Sequence, residues 1–253
     1  MFDEPDEDVY DDEDDGFDER LAARVLPRLL YLILSLAVLG GAAYVQNSPT
    51  FRIQHVKVVG AHFLAPDAVV GAAQIQGQSP FAIASGSVTN RVLALGVPAR
   101  VTVFYQLPDT AVISISEKQP AYIWKVDPTL YLVAEDGTIL GTTPSPTLPT
   151  VVVDQDHQPV AVGQKIDPTI FPQAQAVLQV LPRLISPAPT YLLHSRAEGL
   201  IIPTGVVPEV VLGDGDSLDA KLTVLRPVLQ AALAARPVPR YVDLRVPSHP
   251  YFR

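Results

Sequence analysis

The sequence predicts an α+β protein with one membrane-crossing helix, a small β-α-α-β-β unit, and a mostly antiparallel β domain with flanking helices. Three observations carry this expectation. An uncharged apolar run, Leu29–Val45 (LLYLILSLAVLGGAAYV), stands near the N-terminus. Beyond it, 25 prolines in 253 residues fall between short apolar runs, which favours many short strands over long helices. There is no cysteine, so the folded part has no disulfide framework, no thiolate nucleophile and no cysteine-held metal.

Taken in order, residues 1–24 form an acidic tail. The first 19 residues contain 12 Asp or Glu and no Lys or Arg. Such a segment repels itself and cannot bury enough apolar surface to offset its ordering entropy, so it is expected to be disordered and cytoplasmic. Asp11, Glu13, Asp15 and Gly16 imitate the start of a calcium loop. The closing bidentate glutamate of such a loop would fall on Ala22, which removes the site. Without the tail's 12 acids, 15 acids face 18 Lys and Arg, a formal balance of +3 rather than −9. That balance argues neither for nucleic acid nor for an acidic substrate.

Residues 25–46 are the membrane helix. From Val25 to Val45 there are 21 residues, about 31 Å of helix, close to the thickness of a bilayer's hydrocarbon core. Arg20, Arg24 and Arg28 stand at its N-terminal end, and the positive-inside rule puts the N-terminus in the cytoplasm and the bulk of the chain outside, a single-pass type II arrangement. Gly40-Gly41-Ala42-Ala43 offers small residues of the kind a signal peptidase reads. A long acidic segment ahead of the run is wrong for a cleaved signal, so a retained anchor is expected.

The first folded unit covers residues 51–118. Phe51–Val59 (FRIQHVKVV) alternates and reads as a half-buried strand ended by Gly60. Pro66 opens a short helix through Ile75, and a second runs from Ser87 to Leu95 with Val88, Val92 and Leu95 on one face. Arg100–Tyr105 and Thr110–Ser116 are strands joined by a turn at Gln106-Leu107-Pro108-Asp109. Two helices on a three-stranded sheet result.

Residues 119–253 form the second domain. Leu130–Ile139 is a hairpin around Glu135-Asp136-Gly137, and Val151-Val152-Val153 a strand. Pro172–Leu184 has helical spacing interrupted by Pro182. Gly199–Ile202 and Glu209–Leu212 are strands, Leu218–Ala235 a helix kinked at Pro227, and Arg240–Val246 a final strand.

No catalytic constellation emerges. His55, His62, His157, His194 and His249 are scattered without metal-ligand spacing. Ser85-Gly86-Ser87 lacks the glycine of a nucleophile elbow, and neither Ser-x-x-Lys nor a phosphate-cradling GxxxxGK occurs. Asp136-Gly137 and Asp214-Gly215-Asp216 read as turns. Neither an enzyme nor a cofactor is expected.

FRIQHVKVVG, then PDAVVGAA, then LPDTAVISISEKQPAYIW resemble the POTRA domain of the FtsQ (DivIB) family of bacterial cell division proteins. The family pattern "E-R-x-P-x-A-x-W" is matched by Glu117, Lys118, Gln119, Pro120, Ala121, Tyr122 and Trp124, with Lys118 in place of the usual Arg. The ending Arg240-Tyr241-Val242-Asp243-Leu244-Arg245-Val246 is similar to the family's last "V/I-D-L-R" strand. The resemblance implies a bitopic scaffold of the divisome at the septum. Its β domain would bind the coiled-coil proteins FtsB (DivIC) and FtsL and so regulate the septal peptidoglycan synthase made of FtsW and FtsI.

Carried onto this chain, the partner-binding positions are Arg245, Val246 and Ser248, with Tyr251 and Phe252 as hydrophobic anchors beyond a strand ending at Val246. Pro247 and Pro250 lack an N–H and interrupt that edge. A proline at Val246 is then expected to abolish docking. Two other readings stay open. One is a secretion or assembly factor, since POTRA modules also act as docking units there; the other is a membrane-tethered cell-wall enzyme with a site outside any motif.

Overall fold

The computed structural model describes residues 15–203 and 208–252. Helix α1 (Asp15–Asn47) contains Leu26–Gln46, a 21-residue stretch of mean hydropathy 1.9, none of it buried. It alone, among the described residues, is long and apolar enough to cross a membrane. The expected tail falls on residues 1–14, outside the described residues, and on 15–24, whose backbone is helical and continuous with the anchor. Once nucleated, a helix gains a hydrogen bond for each further residue, and acidic residues suit its N-terminal end.

A short 3-10 turn, Pro49–Phe51, follows, with the Ser48 hydroxyl accepting from the Thr50 N–H. The first strand therefore starts at His55 rather than Phe51: β1 (His55–Val59). Helix α2 (Pro66–Ala73) stops two residues early at Gln74, which is left-handed (φ 52°), and α3 (Ser85–Leu93) lies two residues ahead of its expected place. Strands β2 (Pro98–Gln106) and β3 (Thr110–Glu117) complete the unit in the order β1-β3-β2, with β1 parallel and β2 antiparallel to β3. The helices cover one face, burying Val69, Val88 and Val92 against Ile113 and Ile115. Arg91 donates to the Ala73 carbonyl (2.6 and 3.1 Å) and so ties the end of α2 to α3.

The second unit holds β4 (Pro120–Val126), β5 (Thr129–Ala134), β6 (Ile139–Thr143), β7 (Val151–Asp154), α4 (Ile170–Leu184), β8 (Leu192–Ser195), β9 (Gly199–Ile202), β10 (Glu209–Gly213), α5 (Leu218–Ala234), β11 (Tyr241–Asp243) and β12 (Tyr251–Phe252). They form one sheet in the order β12-β11-β10-β9-β8-β7-β4-β5-β6. Five of its eight pairings are antiparallel; β4/β7, β7/β8 and β10/β11 are parallel. Parallel neighbours need a crossover, and α4 and α5 are the crossovers of the last two. Both helices run through their prolines, Pro182 and Pro227. Each keeps buried apolar residues along its length, among them Phe171, Val177 and Leu181 in α4 and Leu225, Val228 and Ala232 in α5, which offsets the missing N–H.

The two units meet within two residues of chain, Lys118 and Gln119. Glu117, almost fully buried, accepts the backbone N–H groups of His62 (2.9 Å), Phe63 (2.9 and 3.1 Å) and Leu64 (3.0 Å). That carboxylate presents Phe63 and Leu64 to a small core of Val97, Ala134 and Leu140, which draws on both units. Gly96 lies against Gly163 with φ +82°, and a Cβ there would stand 2.5 Å from the Gly163 carbonyl oxygen. Lys118 donates to Asp136 and Thr138 (2.9 Å each), contacts a compact ammonium satisfies without the planar fork of arginine.

Partial burial pushes the Asp136 pKa up, but bonds from Lys118, Lys165 and Thr138 outweigh it and hold the carboxyl well below the usual carboxylate range. A depressed folded-state pKa contributes stability above the unfolded value and loses it as pH falls toward the folded one. The melting-temperature gap between the parent and Asp136→Asn should therefore be full near neutrality and narrow progressively once the pH falls below about 4. Melts from pH 7 to 3 that show a constant gap would rule this out.

Candidate docking surface

Strand β11 ends at Asp243, three residues short of Val246. The cause is local. One Asp243 carboxylate oxygen accepts the Arg245 backbone N–H at 2.9 Å, and the carboxylate also takes the guanidinium through Nε (3.0 and 3.1 Å) and Nη2 (2.6 Å). A side chain that bonds its own backbone two residues on competes with the ladder and turns the chain. Arg245 holds the Asp243 pKa down by these bonds, and Asp243 raises that of Arg245 in return. Gly213, at φ +75°, lets the Arg245 stem lie flat, since a Cβ there would sit 2.7 Å from Arg245 Cγ.

The chain then folds back. The Val246 carbonyl accepts the His249 N–H at 3.0 Å, and Ser248 Oγ lies 2.9 Å from His249 Nδ1. Arg245, Val246 and Ser248 thus sit on the β11–β12 turn, and Tyr251 on the returning strand. The structure brings the four together in one hairpin but leaves only Tyr251 in the sheet. A proline at Val246 removes no ladder bond, which corrects the expectation attached to that position.

The register decides which groups β12 offers. Leu244 donates to Val211 (2.8 Å) and Arg240 accepts from Glu209 (3.2 Å), so even-numbered residues of β11 point their backbone groups toward β10. Asp243 therefore faces β12 and pairs with Tyr251, while Phe252, opposite Val242, turns its N–H and C=O outward. No strand lies beyond β12 among the described residues. Phe252 shares the face of Val242, on the helix side, and lines a hollow of about 550 Å³ with Ala231, Ala235, Pro237 and Val238. That hollow is absent from the sequence reading. The small residues at the end of α5 and the Pro237-Val238-Pro239 stretch were its visible signal.

A larger cleft, about 740 Å³, is lined by Trp124, His194, Asp154, Asp156, Asp214 and Asp216 among others. Asp154 accepts the N–H groups of Asp156 (3.2 Å) and Gln158 (2.9 Å), and Asp156 that of Arg196 (2.9 Å), so these two carboxylates fasten loops. Burial pushes the His194 pKa down against the opposite pull of Asp154 and its acidic neighbours. Among the described residues, no three His, Asp or Glu stand close enough to hold a metal ion.

Comparison with known proteins bears on this arrangement. Residues 51–118 match the family model "POTRA domain, FtsQ-type". A protein of Chloroflexus aurantiacus named cell division protein FtsQ is 30% identical over 235 residues, covering 92% of this chain and 83% of that protein. Its namesake in Chloroflexus aggregans is 28% identical over 234 residues with the same coverage. The protein of that name in Zymomonas mobilis is 30% identical over 106 residues, 40% of this chain and 34% of its own length.

Proposed function

This chain belongs to the FtsQ family of cell division proteins, and from that premise we propose that it is a membrane-tethered scaffold whose C-terminal hairpin receives FtsB (DivIC) and FtsL. Through them it regulates septal peptidoglycan synthesis by FtsW and FtsI. Its N-terminus lies in the cytoplasm, its two folded units lie outside, and it gathers at the septum. It works by holding partners rather than by making or breaking bonds.

The observation that carries this reading is the free side of β12. An incoming strand finds the outward N–H and C=O of Phe252 and the carbonyl of Pro250, but no N–H at Pro250. So short an edge supplies few backbone bonds. Side chains must supply the rest, with Phe252 over its hollow on one face and Tyr251 beside the Asp243–Arg245 pair on the other.

Phe252→Pro removes both the ring and the outward N–H. In full-length protein extracted from membranes, recovery of FtsB- and FtsL-type partners should fall at least about tenfold, the ratio of about 1.4 kcal/mol that one lost interfacial bond carries. Val246→Pro should leave recovery near the parent's, and circular dichroism should be unchanged in both. Equal recovery with Phe252→Pro would defeat the edge reading.

A further inference from the structure

Three segments meet where the chain leaves its membrane helix. The Ile53 N–H donates to Gln78 (3.0 Å) and the Gly77 N–H to Ile53 (2.8 Å), which sets the loop after α2 beside residues 51–53. On the other side, the Asp109 carbonyl accepts from Gln54 (2.8 Å) and His55 (3.2 Å), which sets the tip of the β2–β3 hairpin there too. Each segment displays an apolar side chain to solvent. Phe81 is 52% exposed, its ring edge-on to Phe51 at 5.9 Å; Leu107, at the hairpin tip, is 57% exposed; Phe104, three residues before it, is 56% exposed. Exposed large apolar groups gathered at one end of a small unit mark a contact surface.

Chain length says what lies opposite. The apolar stretch ends at Gln46, and two residues of chain followed by the 3-10 turn put Phe51 no more than about 13 Å beyond it. The headgroup layer takes up about 5–7 Å of that distance. Tyr44, exposed near the end of α1, holds the position of an interfacial aromatic, and Arg52 is an exposed cation next to Phe51.

We infer that this end of the first unit rests on the bilayer, with Phe81 and Leu107 seated among the lipid headgroups of the leaflet facing the ectodomain. The occupant is a lipid surface. The contact fixes the stance of the first unit on its anchor and so sets the height and tilt at which the C-terminal hairpin is presented. It rests on α1 being the membrane anchor.

The chain has no cysteine, so single substitutions Tyr44→Cys, Phe81→Cys, Leu107→Cys and Val162→Cys can each carry one nitroxide label. The full-length protein is placed in vesicles of phosphatidylcholine and phosphatidylglycerol, and spin relaxation by oxygen is compared with that by a water-soluble nickel chelate. The oxygen-to-nickel ratio should be several-fold higher at positions 44, 81 and 107 than at exposed Val162 in the second unit. Ratios at 81 and 107 equal to that at 162, with 44 still high, would overturn the inference and leave the anchor standing. Low accessibility to both agents at 81 and 107 would mean a protein contact instead and would overturn it as well. An aqueous signature at 44 would bring down the anchor reading and this one with it.

Discussion

Glu117→Ala should destabilise the folded part by about 3–5 kcal/mol, because it strips three backbone N–H groups of one buried acceptor. Hydrogen bonds to a charged group contribute about 1.5–3 kcal/mol each, and water entering a partly opened pocket recovers some of that. For a folded part of this size, a fall of roughly 8–15 °C in melting temperature follows. Glu117→Gln keeps one carbonyl oxygen but aims an amide N–H₂ at the remaining donors, so it should cost about half as much. Glu117 also places Phe63 and Leu64 on the small shared core, so its loss should uncouple the units and replace one cooperative transition by two. A single transition within about 1 kcal/mol of the parent would show that Glu117 is not the tie.

Much of the architecture is legible in the residues. α3 shows its face through Val88 and Val92, four apart, and both are buried. The β2–β3 and β5–β6 hairpins are legible because turn chemistry and alternation are local. What escapes the sequence is non-local. Nothing near Val151 says that β7 runs parallel to both β4 and β8, since those pairings depend on where the crossovers deliver the strands. Glu117 looks like one more residue of an alternating strand, because the three N–H groups it serves lie 53 to 55 residues upstream. The C-terminal site is half legible. The stretch from Arg245 to Phe252 stands out by its residues, but the strand expected over Arg240–Val246 is confined to Tyr241–Asp243, and the returning strand Tyr251–Phe252 has no signal of its own. Asp243 spends its carboxylate on Arg245, a local bond that β-propensity does not register.

The second large effect concerns the packing of α4 on β4, inside the sheet. Phe171 is fully buried at the start of α4, its ring stacked on Tyr122 (4.8 Å, 6°) and edge-on to Trp124 (6.0 Å, 74°). Phe171→Ala should cost about 3–5 kcal/mol, the transfer loss plus a cavity that strands on one side and a helix on the other cannot close. Phe171→Leu, which refills most of the volume but loses both ring contacts, should cost less, about 1–2 kcal/mol. Denaturant titration followed by fluorescence of Trp124, the chain's one tryptophan, measures both directly. The consequence reaches beyond stability. α4 is the crossover that delivers β8 alongside β7, and β9 to β12 are added in turn from β8. A loosened α4 therefore weakens the seam between the β4–β7 half and the half that ends in the C-terminal hairpin. Partner recovery should fall with Phe171→Ala near its melting range and return on cooling, whereas Phe252→Pro should be deficient at every temperature. If Phe171→Ala instead unfolds within about 1 kcal/mol of the parent, the aromatic cluster is not what anchors the crossover.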